Sequence, residues 1–290
     1  MLPYLDWQRG TRAPDLRLPP LSCDCAIHVF DAAHAHRLLA GRRYDPPAAS
    51  LQDLQAMHKR LGIERAVLVQ ASVYGSDHTV LLRALRADPG RYRGVALLDA
   101  SISDADCADM HAAGVRSARF NILSRFGAAF DTTAFLREVR RAEELGWSLS
   151  LHASADELAV HAPMLLKLDT PIVIDHLAYL SPAQIPGVGF DFVCEALARG
   201  NWWVKVSRMD HRSHPPYSEM AALASQVIAL RPDRMVWATD WPHPLYDAAT
   251  CTMPNDADLV ELFARSVPDA AVREQILVRN PSTLFDFPAA

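Results

Sequence analysis

Short apolar runs alternate along this chain with segments whose apolar residues recur every three or four positions. Eight runs read as strands, at 24–30, 66–70, 94–98, 115–120, 148–152, 172–175, 202–206 and 235–238. The segment 51–61 places Leu51, Leu54, Met57, His58 and Leu61 on one helical face, and 79–86 does so with Val80, Leu81, Ala84 and Leu85. Helical spacing also marks 135–145, 157–166, 192–198 and 220–230. The tail 269–279 reads as a last helix that Asn280 and Pro281 end. Strand and helix in alternation predict parallel strands joined by right-handed crossovers. Eight such units in 290 residues favour a closed (β/α)8 TIM barrel of the α/β class over an open doubly wound sheet. No Gly-x-Gly-x-x-Gly follows the first strand, which also argues against a dinucleotide fold.

No linker splits the chain, so residues 1–20 are read as an N-terminal extension and 21–290 as one barrel domain. The 31–50 segment is a long loop after the first strand, where loops of a barrel cover a site. Half of the residues are hydrophobic, enough for a large core. The net charge of −5 and the absence of a basic block argue against nucleic acid as a partner. Apolar stretches fall far short of the ~20 residues a membrane helix needs, and the first twenty residues hold no apolar signal core, so a cytoplasmic location is expected. The five cysteines are scattered and odd in number, which fits reduced thiols, and Cys23 and Cys25, one residue apart, read as buried structural ones.

Polar residues recur where the strands end: His28; Gln70, Ser72 and Ser76; Arg119, Asn121 and Arg125; His152; Asp175 and His176; Lys205, Ser207, His211 and Arg212; and Asp240. In a barrel these ends converge on one mouth. Asp240 ends an apolar run and precedes Trp241, Pro242 and Pro244, which places an acid on a stiff loop as a general base requires. A turn or cap aspartate is the plain alternative for Asp240 alone, as a satisfied structural role is for any one histidine, serine or arginine. Their convergence on one face favours a site.

The chain resembles the amidohydrolase-superfamily branch that contains 2-pyrone-4,6-dicarboxylate lactonase and related lactone-processing enzymes. The resemblance rests on Cys23-Asp24-x-x-x-His28-Val29-Phe30, on Arg43-Tyr44-Asp45-Pro46, and on Val69-Gln70-Ala71-Ser72 through Asp77. It continues through Gly114-Val115-Arg116 to Arg119-Phe120-Asn121, Ile174-Asp175-His176, Val204-Lys205-Val206-Ser207, and Trp237 to Pro244. It implies that Asp240 activates a hydrolytic water beside His28 and His176. It also implies that Arg119, Arg125 and Arg212 hold substrate carboxylates, and that Tyr44 and Ser72 donate supporting hydrogen bonds. Ser76 and His152 are the remaining expected binding residues.

In one place the chain departs from the superfamily. The first strand of the superfamily carries His-x-His, whereas this one reads Ala26-Ile27-His28. Residues 26 and 28 share a strand face, so Ala26 takes the inward position of the first histidine, and alternation turns Cys25 the other way. A divalent metal, Zn or Mn, would depend on His28, His176 and Asp240, which is enough protein ligands for a catalytic zinc. The branch is taken to work without metal, and no cofactor is expected. The expected activity is hydrolysis of a small anionic lactone. The alternatives are a lactone isomerase acting on a sugar-diacid lactone, a metal-dependent hydrolase or decarboxylase, and a barrel that binds anions without turning them over.

Overall fold

The computed structural model describes residues 4–123, 130–212, 214–247 and 251–288. Eight parallel strands lie in chain order in one sheet: β1 (Cys23–Ile27), β2 (Arg65–Val69), β3 (Tyr92–Leu97), β4 (Val115–Asn121), β5 (Ser148–His152), β6 (Ile172–Ile174), β7 (Trp202–Val206) and β8 (Met235–Trp237). Nearly every strand residue is buried, because helices cover one face and the barrel interior the other. This is a (β/α)8 barrel. The ring closes just beyond β8, where the Asp240 amide donates to the Ala26 carbonyl at 3.0 Å and the His28 amide to the Trp241 carbonyl at 2.8 Å. Buried Asp24 reinforces that seam by accepting the Thr239 amide at 3.0 Å.

The outer layer contains α1 (Leu51–Leu61), α2 (Thr79–Ala87), α3 (Asp104–Ala113), α4 (Thr132–Glu144), α5 (Ala155–Val160), α6 (Ala162–Leu165), α7 (Val188–Ala198), α8 (Ser218–Leu230), α9 (Asp256–Ser266), α10 (Ala270–Glu274) and α11 (Asn280–Phe285). Several starts are fixed by side-chain caps: Ser50, Ser103 and Ser154 each form a reciprocal capping box with the acid three residues on. Apolar periodicity misses α3, which buries just Cys107, Met110 and Ala113. The helix expected over 157–166 is broken at His161, ahead of Pro163. The last helix does not stop at Asn280. A wide π-type turn over Gln275–Arg279 precedes Pro281 and the chain stays helical to Phe285, since the looser turn accommodates a residue that has no N–H. Among the described residues no helix is long and apolar enough to cross a membrane.

Side-chain direction in β1 differs from simple alternation. Asp24 pairs with Ala66 but Ile27 pairs with Leu68, so β1 spends one more residue than β2 over that stretch. This bulge turns Cys25 and Ala26 both into the interior cluster with Cys23, Val67, Val69, Val95, Val173 and Val236. Cys25 therefore points inward, contrary to strict period-two alternation, with its Sγ 3.7 Å from that of Cys23. The opposite end of the barrel is plugged by the C-terminal segment. Arg65 donates to the Pro288 carbonyl at 2.7 Å, Arg93 to the Asp286 carbonyl at 2.7 Å, and both guanidinium groups lie over the Phe287 ring.

Candidate active site

At the C-terminal ends of the strands a cavity of about 520 Å³ opens. The structure brings His28, Tyr44, Ser72, Arg119, His152, His176 and Asp240 into its wall, six of them from different strand ends and Tyr44 from the long loop after β1. The loop after β1 contributes Leu39, Arg42, Arg43 and Tyr44, and Tyr4 reaches in from the N-terminal segment. That segment lies on the barrel, with the Leu5 amide on the Tyr246 carbonyl at 2.8 Å. Ser76 is outside the cavity wall, and its hydroxyl accepts from Ser101 at 3.2 Å. Arg125 lies outside the described residues, as does the side chain of Arg212, which ends a short turn over Asp210–Arg212.

Asp240 is almost fully buried. Its Oδ1 lies 3.6 Å from His28 Nε2 and 4.0 Å from His176 Nε2, while its Oδ2 accepts from Arg208 Nη1 at 2.9 Å. Burial alone would raise this carboxyl, but His176, Arg208 and His28 together outweigh it and hold the group well below the usual carboxylate range. His28 Nδ1 sits 2.8 Å from the Val69 carbonyl, which can accept but not donate, so that nitrogen carries the proton and Nε2 is the one turned to Asp240. His176 Nδ1 is tied to the Ser207 hydroxyl at 2.8 Å. Burial pushes His176 and His152 well below the ordinary histidine range, with nearby Arg208 and Arg119 acting in the same direction, so both rings are neutral at pH 7. Burial raises the Tyr44 phenol, which keeps it protonated and able to donate.

Backbone strain concentrates here. His176, Leu177, Ala178 and Tyr179 follow one another at φ of 51 to 55°, a turn of left-handed helix, and Arg208, Asp240, His243 and Leu245 are also left-handed. Each such residue costs about 1–2 kcal/mol, and the bends they put in the backbone set His176 and Asp240 face to face. The left-handed turn also delivers Tyr179, whose hydroxyl is 2.6 Å from His152 Nε2.

Sequence reasoning missed Arg208 and Tyr179 as wall residues. Arg208 follows β7 with no spacing signal, and Tyr179 lies off the strand ends that the pattern picked out. Three strand-end candidates, Lys205, Asp175 and Gln70, serve as scaffold. Lys205 Nζ pairs with Asp175 Oδ1 at 2.7 Å, both wholly buried; the Ser150 hydroxyl joins at 3.0 Å and Arg119 Nε approaches Asp175 Oδ2 at 3.2 Å. Asp175 thus anchors the base of Arg119 beneath the cavity. Gln70 donates to the carbonyls of Gly75 and Asp77, at 2.9 and 3.0 Å, and shapes the loop after β2.

Four arginines (Arg42, Arg43, Arg119 and Arg208) and one carboxylate (Asp240) line the cavity among the described residues, a balance that attracts anions. The same residues fit a divalent metal poorly. Among the described residues no set of three His, Cys, Asp or Glu side chains is placed to hold one. Ala26 offers no donor, and a guanidinium already neutralises Asp240 at 2.9 Å.

Comparison with known proteins places the chain among lactone-processing relatives. It is 32% identical over 292 residues to 4-sulfomuconolactone hydrolase of Rhizobium radiobacter, covering 98% of this chain and 96% of that protein. It is 32% identical over 297 residues to 2-pyrone-4,6-dicarboxylate hydrolase of Comamonas testosteroni, covering 97% and 95%. It is 28% identical over 278 residues to D-galactarolactone isomerase of Agrobacterium fabrum, covering 94% of each. The amidohydrolase family model matches residues 23–287, from the first residue of β1 to the Phe287 plug, and the chain belongs to that family.

Proposed function

We propose that this protein is a lactonase that opens a small carboxylate-bearing lactone, with Asp240 as general base and without a metal. The observation that carries the reading is the placement of Asp240 Oδ1 opposite the Nε2 atoms of His28 and His176, at 3.6 and 4.0 Å, in a cavity rimmed by arginines. Asp240 takes a proton from water as the water oxygen bonds to the lactone carbonyl carbon. The ring C–O bond then breaks, and the ring oxygen leaves and collects the proton. His176, whose Nδ1 can accept from the Ser207 hydroxyl and leave its proton on the site-facing Nε2, or an arginine stabilises the oxyanion, roughly 3–4 kcal/mol per well-placed donor, while His28 Nε2 faces Asp240. Arg119, together with Arg125 and Arg212, holds the substrate carboxylates, because a planar guanidinium binds two oxygens at once. Tyr44 and Ser72 brace the ring, and His152 with Tyr179 closes the far wall.

The relatives support lactone chemistry in general, and the isomerase among them favours a second reading, in which a substrate hydroxyl replaces water as nucleophile. Pyrone dicarboxylates, muconolactones and sugar-diacid lactones incubated with the protein, with and without added Zn or Mn, separate the readings by product mass. Addition of one water supports hydrolysis, an unchanged mass supports isomerisation, and turnover that appears only with added metal overturns the metal-free mechanism.

A further inference from the structure

Arg208 presents a conflict inside this site. A base whose second oxygen accepts from a guanidinium at 2.9 Å is a weak base, and Asp240 is held well below its ordinary range partly for that reason. Yet Arg208 is not locked in place all round. Its Nη1 is shared between Asp240 and the Pro244 carbonyl at 3.3 Å, the guanidinium rests over the Tyr246 ring at 5.1 Å, and its buried Nε has no hydrogen-bond partner. The residue is 8% exposed and faces the cavity. Arg119 also has a buried Nε without a hydrogen-bond partner, but that Nε lies 3.2 Å from Asp175 Oδ2, and Asp175 is a carboxylate outside the cavity wall that has no part in the chemistry.

We propose that Arg208 is an anion-released clamp: it holds Asp240 in the empty site, and a carboxylate of the substrate draws its guanidinium away, freeing Asp240 to act as base. The exchange trades one arginine–carboxylate pair for another, so its cost is small. The vacant Nε donor gives the incoming carboxylate a second point of attachment that Asp240 leaves unused. The clamp rests on the lactonase reading and adds a consequence to it. Discrimination against uncharged lactones falls on kcat as well as on KM, because a neutral substrate leaves the base clamped.

Two experiments test this. In the first, kcat is measured for an anionic lactone and its methyl ester in wild type, Arg208→Leu and Arg208→Lys. Wild type is expected to favour the anion by about 10- to 100-fold in kcat, the range of one charge-assisted hydrogen bond. Arg208→Leu is expected to bring that ratio to within about twofold, and Arg208→Lys to keep part of it. In the second, a crystal structure is determined with benzene-1,3-dicarboxylate, which has two ring carboxylates and no ester. Arg208 Nη1 on the ligand and away from Asp240 supports the clamp. Nη1 still on Asp240, no bound ligand, or a kcat ratio unchanged in Arg208→Leu overturns it. A guanidinium drawn to the ligand in a protein that opens no lactone would keep the clamp and remove the lactonase reading. Lactone turnover with an unmoved guanidinium would do the reverse.

Discussion

Replacing Lys205 with Met removes the nearest cation from Asp175, a carboxylate with 1% of its surface exposed. Breaking one side of a buried ion pair costs about 3–5 kcal/mol, because the surviving charge has no water to turn to. Here the Ser150 hydroxyl at 3.0 Å and Arg119 Nε at 3.2 Å remain, which puts the loss at the low end, about 3 kcal/mol. With a urea slope of about 3 kcal/mol/M for a chain of this size, the unfolding midpoint falls by about 1 M. Removing the stranded charge as well, in Lys205→Met/Asp175→Asn, recovers at least about 1 kcal/mol of that loss. A second readout reaches the site. Without Lys205, Arg119 is the cation left on Asp175 and is held there more firmly, so calorimetric affinity for a dicarboxylate falls. A loss below about 1 kcal/mol in the single variant, or a double variant no better than it, would refute the reasoning.

Two further predictions follow from charge and packing. The Asp256 hydrogen bond at 3.0 Å raises the buried His243 above its ordinary range against the effect of burial. A raised folded value means that this stabilisation is complete below the unfolded pKa of about 6.5 and is lost as pH rises through the folded one. The Tm gap between wild type and His243→Gln is therefore larger at pH 6 than at pH 9, and a gap that grows with pH would contradict the assignment. At the other end of the barrel, Phe287→Ala removes the ring that Arg65 and Arg93 cover at 5.2 and 4.9 Å and costs about 3 kcal/mol in urea unfolding; a loss within about 0.5 kcal/mol would show that the plug is ornamental to the fold.

The barrel was legible because its strands are buried on both faces and so stand out as apolar runs against helical periodicity. The 148–152 and 202–206 strands match the structure at both ends. The parts that were not legible depend on geometry that residue type does not encode. The β1 bulge places Cys25 and Ala26 on the same side, and no alternation rule announces an inserted residue. Left-handed backbone at His176 through Tyr179 involves a leucine, an alanine and a tyrosine, types that ordinarily avoid it, so Tyr179 in the wall could not be foreseen. Arg208 reads as one more loop arginine until its guanidinium is seen on Asp240. Ser76 shows the opposite error: a serine near a strand end that turns to Ser101 instead of the cavity.

The central claim is that Asp240 moves the proton. The most direct measurement is kcat of Asp240→Asn on whichever anionic lactone the wild type opens, with dicarboxylate affinity measured by calorimetry on the same protein. Asn keeps the shape and loses the basicity, so kcat is expected to fall by about 10²- to 10⁴-fold while the ligand still binds. An Asp240→Asn protein that turns over at the wild-type rate would contradict the account.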